Sequence, residues 1–155
     1  MIKLTIALAL FTLILASSCS DQEVNSNQVS TFETITFSSN CGWCTEGEEI
    51  IITKEQKVEY SKSFPCSPED NINKERSLTE EEIQRLNEVF ELDKILAIEL
   101  DQCGQCYDGC DDTLSVIGTE GESQIIRYDK EFDEFAELQE IGLLIETILK
   151  IRNSF

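Results

Sequence analysis

Apolar and polar residues alternate with the period of a strand in several parts of this chain. Thr31 to Phe37, TFETITF, is rich in β-branched and aromatic residues and predicts a strand that leads straight into the tetrapeptide CGWC at 41 to 44. EEIIIT at 48 to 53 and KVEYS at 57 to 61 flank the polar KEQ and predict a hairpin. Leu96, Ile98 and Leu100 alternate with Ala97 and Glu99, which predicts a strand ending at a second cysteine cluster. TLSVIGT (113 to 119) and SQIIRYD (123 to 129) predict another hairpin, closed by a turn containing Gly121.

The period lengthens in two segments. In SLTEEEIQRLNEVFEL, Thr79 stands three residues before Glu82, the spacing at which each side chain satisfies the other's free backbone N–H at a helix start. Ile83, Leu86 and Phe90, with Val89 beside them, then share one face of a helix. A second helix is predicted from about Glu131 to Arg152, with Leu138, Ile141, Ile145, Ile148 and Leu149 on one wide apolar face. Acids in its first turns and Lys150 and Arg152 in its last complement the helix dipole. Lys62 to Arg76 holds both prolines, Pro65 and Pro68, on either side of Cys66, and reads as a loop. The order β-β-β-α-β-β-β-α predicts an α+β domain: an antiparallel sheet with two helices packed on one face and cysteine-rich loops at the strand ends.

The N-terminus carries a different pattern. In MIKLTIALALFTLILASSCS, Lys3 precedes an apolar run from Leu4 to Ala16 that ends in small residues and a cysteine, as an export signal does. The run of about 13 residues would measure roughly 20 Å as a helix, short of the about 20 residues, roughly 30 Å, that a permanent membrane span takes, so cleavage is expected. The ending LASSC resembles the lipobox of bacterial lipoproteins, with one departure: Leu15 lies one place further from the cysteine, and Ala16 stands in its position. The resemblance implies a diacylglycerol on the thiol of Cys19 and cleavage just before it. An ordinary signal peptide cut near Ala16 to Ser18 is the alternative.

Acyl chains on Cys19 would hold the protein on a membrane, each buried methylene contributing about 0.8 kcal/mol. The polar SDQEVNSNQVS that follows would act as a tether with a reach of roughly 20 Å. Its acidic start, SDQE, resembles the short signals that send lipoproteins of the Bacteroidota to the outer face of the outer membrane; an acidic linker is the alternative. Taken together, these residues resemble the small lipoproteins of the Bacteroidota. The resemblance implies an extracytoplasmic protein anchored to the cell membrane, with the outer membrane favoured, on its periplasmic or surface face. Residues 1–18 are then the signal, 19–30 the lipidated tether, and 31–155 one domain long enough to bury a single core.

Setting Cys19 aside, Cys41, Cys44, Cys66, Cys103, Cys106 and Cys110 remain from a total of 7 cysteines. An even set in an exported chain reads first as a disulfide framework, and all 15 pairings stay open. At least one bond is expected to link the 41/44 pair or Cys66 to the later cluster. Zinc competes, since two C-x-x-C units supply four thiolates. However, roughly 60 residues separate the units, where compact zinc ribbons use about 15 to 20, and the chain has no histidine. Thiol-disulfide exchange competes less well. CGWC leads into the acidic TEGEE and a strand, whereas a reactive C-x-x-C needs a helix N-terminus to lower its thiol pKa. Its tryptophan also follows the first cysteine, instead of preceding it as in thioredoxin.

The stretch DQCGQCYDGCDD gathers Asp101, Asp108, Asp111 and Asp112 and raises calcium. An EF-hand register fails there, because Cys103 falls where an oxygen ligand is needed, Cys106 where glycine is needed and Asp112 where glutamate is needed. An irregular calcium site and a solvated acidic loop both stay open, and no metal or cofactor is assigned.

The formal charge of −19 becomes −20 when Lys3 leaves with the signal. Such a surface repels nucleic acid and anionic headgroups and suits a basic partner or divalent cations, or serves solubility alone. Without histidine no Ser/His/Asp or Cys/His constellation can be assembled, there is no phosphate-cradling glycine loop, and no catalytic residue is assigned. Trp43, the only tryptophan, and Tyr107 sit between cysteines and suit a rigid contact face for a protein or envelope component; packing of Trp43 over a disulfide is the alternative. The sequence therefore points to a lipid-anchored envelope protein that binds rather than catalyses. A zinc- or calcium-binding envelope protein and a C-x-x-C oxidoreductase are the competing readings.

Overall fold

A computed structural model describes residues 31–42, 45–103, 109–129 and 136–155. Its centre is β1 (Phe32–Cys41), which pairs with β2 (Gly47–Thr53) on one side and β5 (Cys110–Gly118) on the other. β3 (Lys57–Ser63) and β4 (Ile72–Ser77) extend the sheet beyond β2, and β6 (Ser123–Asp129) extends it beyond β5. The six strands run in the order β4-β3-β2-β1-β5-β6, every pair antiparallel. The class is α+β, with α1 (Glu80–Val89), α2 (Leu92–Leu96) and α3 (Ala136–Arg152).

The period-2 alternation fixes which side chains are buried. Phe37 stands opposite both Ile50 and Leu114, and Ile35 opposite both Ile52 and Val116, so one face presents a continuous apolar surface. These residues, together with Val58 and Ile126, are fully buried. They join one core with Leu86 of α1, Ile95 of α2, and Ile141, Leu144, Ile148 and Ile151 of α3. The buried positions of α3 follow i, i+3, i+7 and i+10, while Leu138, Ile145 and Leu149 flank them, partly buried. At the start of α1 the reciprocal cap forms: the Glu82 N–H donates to Thr79 Oγ1 at 3.2 Å, and the Thr79 N–H to Glu82 Oε2 at 2.8 Å. Gly121 takes φ +91° in the β5–β6 turn, a conformation glycine adopts without a side-chain penalty.

Two sequence expectations need correction. The segment 62–76 is not all loop, since a short 3₁₀ turn, Pro68–Asp70, leads into β4. INKERS lies at the edge of the sheet with five of its six residues exposed, so it needs no apolar alternation; pairing with β3, from Lys57↔Ser77 to Lys62↔Ile72, holds it in place. The predicted strand at 96–100 is also not a ladder strand. Leu96 ends α2, and Ile98 and Leu100 are buried (5% and 8% exposed), as their alternation requires. The chain there makes one parallel bridge, Asp101 with Arg127, in which the Arg127 N–H donates to Leu100 O and the Gln102 N–H to Arg127 O. Alternation reported burial on one side, which a flanking extended segment shares with a strand. The start of the predicted last helix, 131–135, lies outside the described residues.

Candidate functional site

The antiparallel order brings the ends of β1, β3 and β6 and the starts of β2, β4 and β5 to one end of the sheet. Cys41, the last residue of β1, faces Cys110, the first of β5, and the two are joined in a disulfide with Cα atoms 4.0 Å apart. That bond connects residues 69 positions apart and ties the first cysteine pair to the later cluster. The Gly42 N–H donates to Gly109 O, carrying the strand pairing one step past it. Cys66, between β3 and β4, and Cys103, just after the Asp101 bridge, are also disulfide-bonded. Close packing continues at Gly47, where a Cβ would meet Asn40 Oδ1 at 2.6 Å. Cys44, Cys106, Trp43, Tyr107 and Asp108 lie outside the described residues, as does Cys19.

The aspartates separate. Asp101 is exposed and ion-paired with Arg127, whose Nη2 and Nε both reach Oδ1, at 2.7 and 2.8 Å. Asp111 and Asp112 are buried, 4% and 8% exposed, but as consecutive strand residues they project to opposite faces of the sheet. Asp111 stands opposite Asn40 and Asp129, and Asp112 opposite Ser39 and Tyr128. Among the described residues, no three histidine, cysteine or acidic side chains gather as a metal site.

A second surface emerges on the sheet face opposite the core. One row across it reads Asn73, Ser61, Glu49, Ser38, Thr113, Arg127; the next reads Glu75, Glu59, Ile51, Thr36, Ser115, Ile125. Over β2, β3 and β4 this face holds an open trough of about 510 Å³, whose lining includes Glu49, Ile51, Glu59, Ser61 and Glu75. Glu59 and Glu75 stand directly opposite each other, a like-charge pairing that is unfavourable by itself. Lys57, paired with Glu75 at 2.7 Å, offsets part of it. Sequence reading missed the trough because alternation reveals the face of each residue but not the register that sets Glu49, Glu59 and Glu75 side by side.

Apart from Lys57, the cations near β3 and β4 are drawn to the core side. Arg76 donates to both carboxylate oxygens of Glu82 (2.7 and 2.8 Å) and to Ser154 Oγ, and lies over the Phe155 ring. The hydrogen bond from Arg76 is the main cause holding the Glu82 carboxyl below its ordinary value of 4.5. Lys74 Nζ donates to Phe155 O, Phe155 stacks on Tyr60, and Arg152 and Lys62 both reach Glu48. Burial, with Glu48 beside it, raises the Tyr60 pKa.

No protein-family model matches the chain, and no curated protein matches it. Any functional reading therefore rests on these residues.

Proposed function

We propose that this chain is a lipid-anchored cell-envelope lipoprotein whose domain acts as a binding module on the extracytoplasmic side, and that it is not an enzyme. One observation carries the reading: Cys41, Cys66, Cys103 and Cys110 are all in disulfides, gathered at one end of a single sheet. Disulfides persist where thiols are oxidised, outside the cytoplasm, which agrees with the signal-like residues before Cys19. Cysteines held this way offer no thiolate to zinc. Cys41 pairs across strands with Cys110 and not within CGWC, unlike a C-x-x-C couple that works by exchange.

The topology adds an orientation. β1 starts at Phe32, at the opposite end of the sheet from Cys41, so a tether from Cys19 would join the domain about 30 Å from the cysteines. The end of the sheet that carries Cys41 and Cys110 would then face away from the membrane toward a partner; Trp43 and Tyr107, the proposed contacts, lie outside the described residues. In this reading both long helices cover the same sheet face, supported by Arg76 of β4 binding Glu82 of α1 and Arg152 of α3 binding Glu48 of β2.

The test is the intact mass of the mature protein, purified in detergent without reductant and alkylated before or after reduction. Acylated Cys19 as the first residue, with thiols appearing only after reduction, is the expected result. A mass beginning at residue 17 to 19 without lipid would remove the anchor. Thiols that alkylate without reduction would reopen the zinc and exchange readings, which elemental analysis and insulin reduction then decide.

A further inference from the structure

We propose that the trough over β2, β3 and β4 is a docking surface for an extended segment of a partner protein that carries lysine or arginine at alternate positions. The proposal goes beyond the reading above, because it concerns a different surface from the cysteine end and needs no lipid on Cys19. The sheet face here is unpartnered among the described residues, and its form and charge define the occupant. Ile51 supplies an apolar floor, and directly opposite it stands Glu59. Glu49 precedes Ile51 by two residues on the same face and is directly opposite Ser61. Glu49 and Glu59 are thus diagonal neighbours, whose Cβ atoms lie about 7 Å apart at that offset. Residues two apart in an extended peptide also lie about 7 Å apart on one side. Two cationic side chains at such positions can meet both carboxylates while their aliphatic stems rest on Ile51.

The local charge is unbalanced in the same sense. Lys57 pairs with Glu75, and Lys74 sends its ammonium to the carbonyl of Phe155. No ion pair holds Glu49 or Glu59 among the described residues. Lys74 also lines the trough, but its ammonium is turned to Phe155, so the peptide brings cations to Glu49 and Glu59, and the total charge of −19 favours its approach from a distance.

The experiment uses the full chain, purified without reductant, and a fluorescein-labelled Lys-Thr-Lys-Thr-Lys peptide followed by anisotropy at about 50 mM salt, where exposed charges are least screened. Glu49→Gln/Glu59→Gln is compared with Glu80→Gln/Glu81→Gln, which removes the same charge from the exposed first turn of α1. We expect the trough variant to weaken binding by about tenfold and the α1 variant by less than about twofold. If the trough variant fails to fold, Ser61→Lys supplies the test, because a cation placed in the trough should block the peptide. Equal weakening by both double variants would overturn the proposal in favour of overall charge, as would absence of binding to the wild-type chain. Release of the peptide by millimolar calcium at constant ionic strength would reassign the trough to a cation.

Discussion

The two faces of the sheet are built from alternate residues of the same strands, yet they obey different rules. On the core face, Ile35, Phe37, Ile50, Ile52, Leu114 and Val116 are matched across three strands and fully buried. On the outer face, the intervening rungs carry Thr36, Ser38, Glu49, Ser115 and Thr113 with Ile51 among them, and Ile125 remains 63% exposed. Four cations belong to the core side. Arg76, Lys74, Lys62 and Arg152 cluster round Tyr60, Phe155 and Glu48 on the core side, where they fasten the C-terminal residues to β3 and β4. Stability is thus concentrated on one face, which leaves the other free to carry charge that serves no packing role.

The sharpest way to break this comparison is Phe37→Ala against its outward neighbour Ser38→Ala. The first should cost about 3 to 5 kcal/mol, the second about 0.5 or less, as read by urea unfolding with the disulfides intact. Similar losses at both would show that the outer face is covered. Replacing Cys41 and Cys110 together by alanine should cost about 2 to 4 kcal/mol in the same assay, because their bond closes a long loop of the unfolded chain. Little change there would mean that the β1–β5 pairing alone fixes that end. Arg76→Ala should cost about 1 to 3 kcal/mol, since it leaves the half-buried Glu82 with only the Thr79 N–H as donor, whereas Lys57→Ala, which breaks an exposed pair, should cost less.

A smaller effect depends on pH. Because the folded-state pKa of Glu82 is depressed, its contribution to stability is present above its ordinary 4.5 and is lost as the pH falls through the folded-state value. Glu82→Gln should therefore flatten the loss of stability as the pH falls below about 4.5, measured by melting temperature across that range. An unchanged slope would assign the acid sensitivity to other carboxylates. Glu49→Gln should leave stability within about 0.5 kcal/mol, which is what permits its use as a binding probe.

The edge strand shows how a polar pattern can still be structural. Two copies of β4 aligned antiparallel about its centre, core face with core face, would set Lys74 against Lys74 or Glu75 against Glu75. Those charges discourage edge-to-edge association, a task that apolar residues could not perform. INKERS therefore had no apolar rhythm by which a strand could be recognised, while the buried rhythm of Ile98 and Leu100 suggested a strand where only one bridge forms.

What the sequence by itself determined was local. Residue alternation marked β1, β2, β3, β5 and β6, the Thr79–Glu82 spacing marked the start of α1, and the apolar stripe marked α3, because each of these signals is carried by neighbours in the chain. The cysteine count likewise indicated a disulfide framework. Only the tertiary structure decided that β5 lies beside β1, that Cys41 meets Cys110, that the calcium-suggesting Asp111 and Asp112 face opposite ways, and that Glu49, Glu59 and Glu75 share one trough. Each of these depends on strand register between distant segments. Burial of one face fixes that register, and the register then places every residue on the other face.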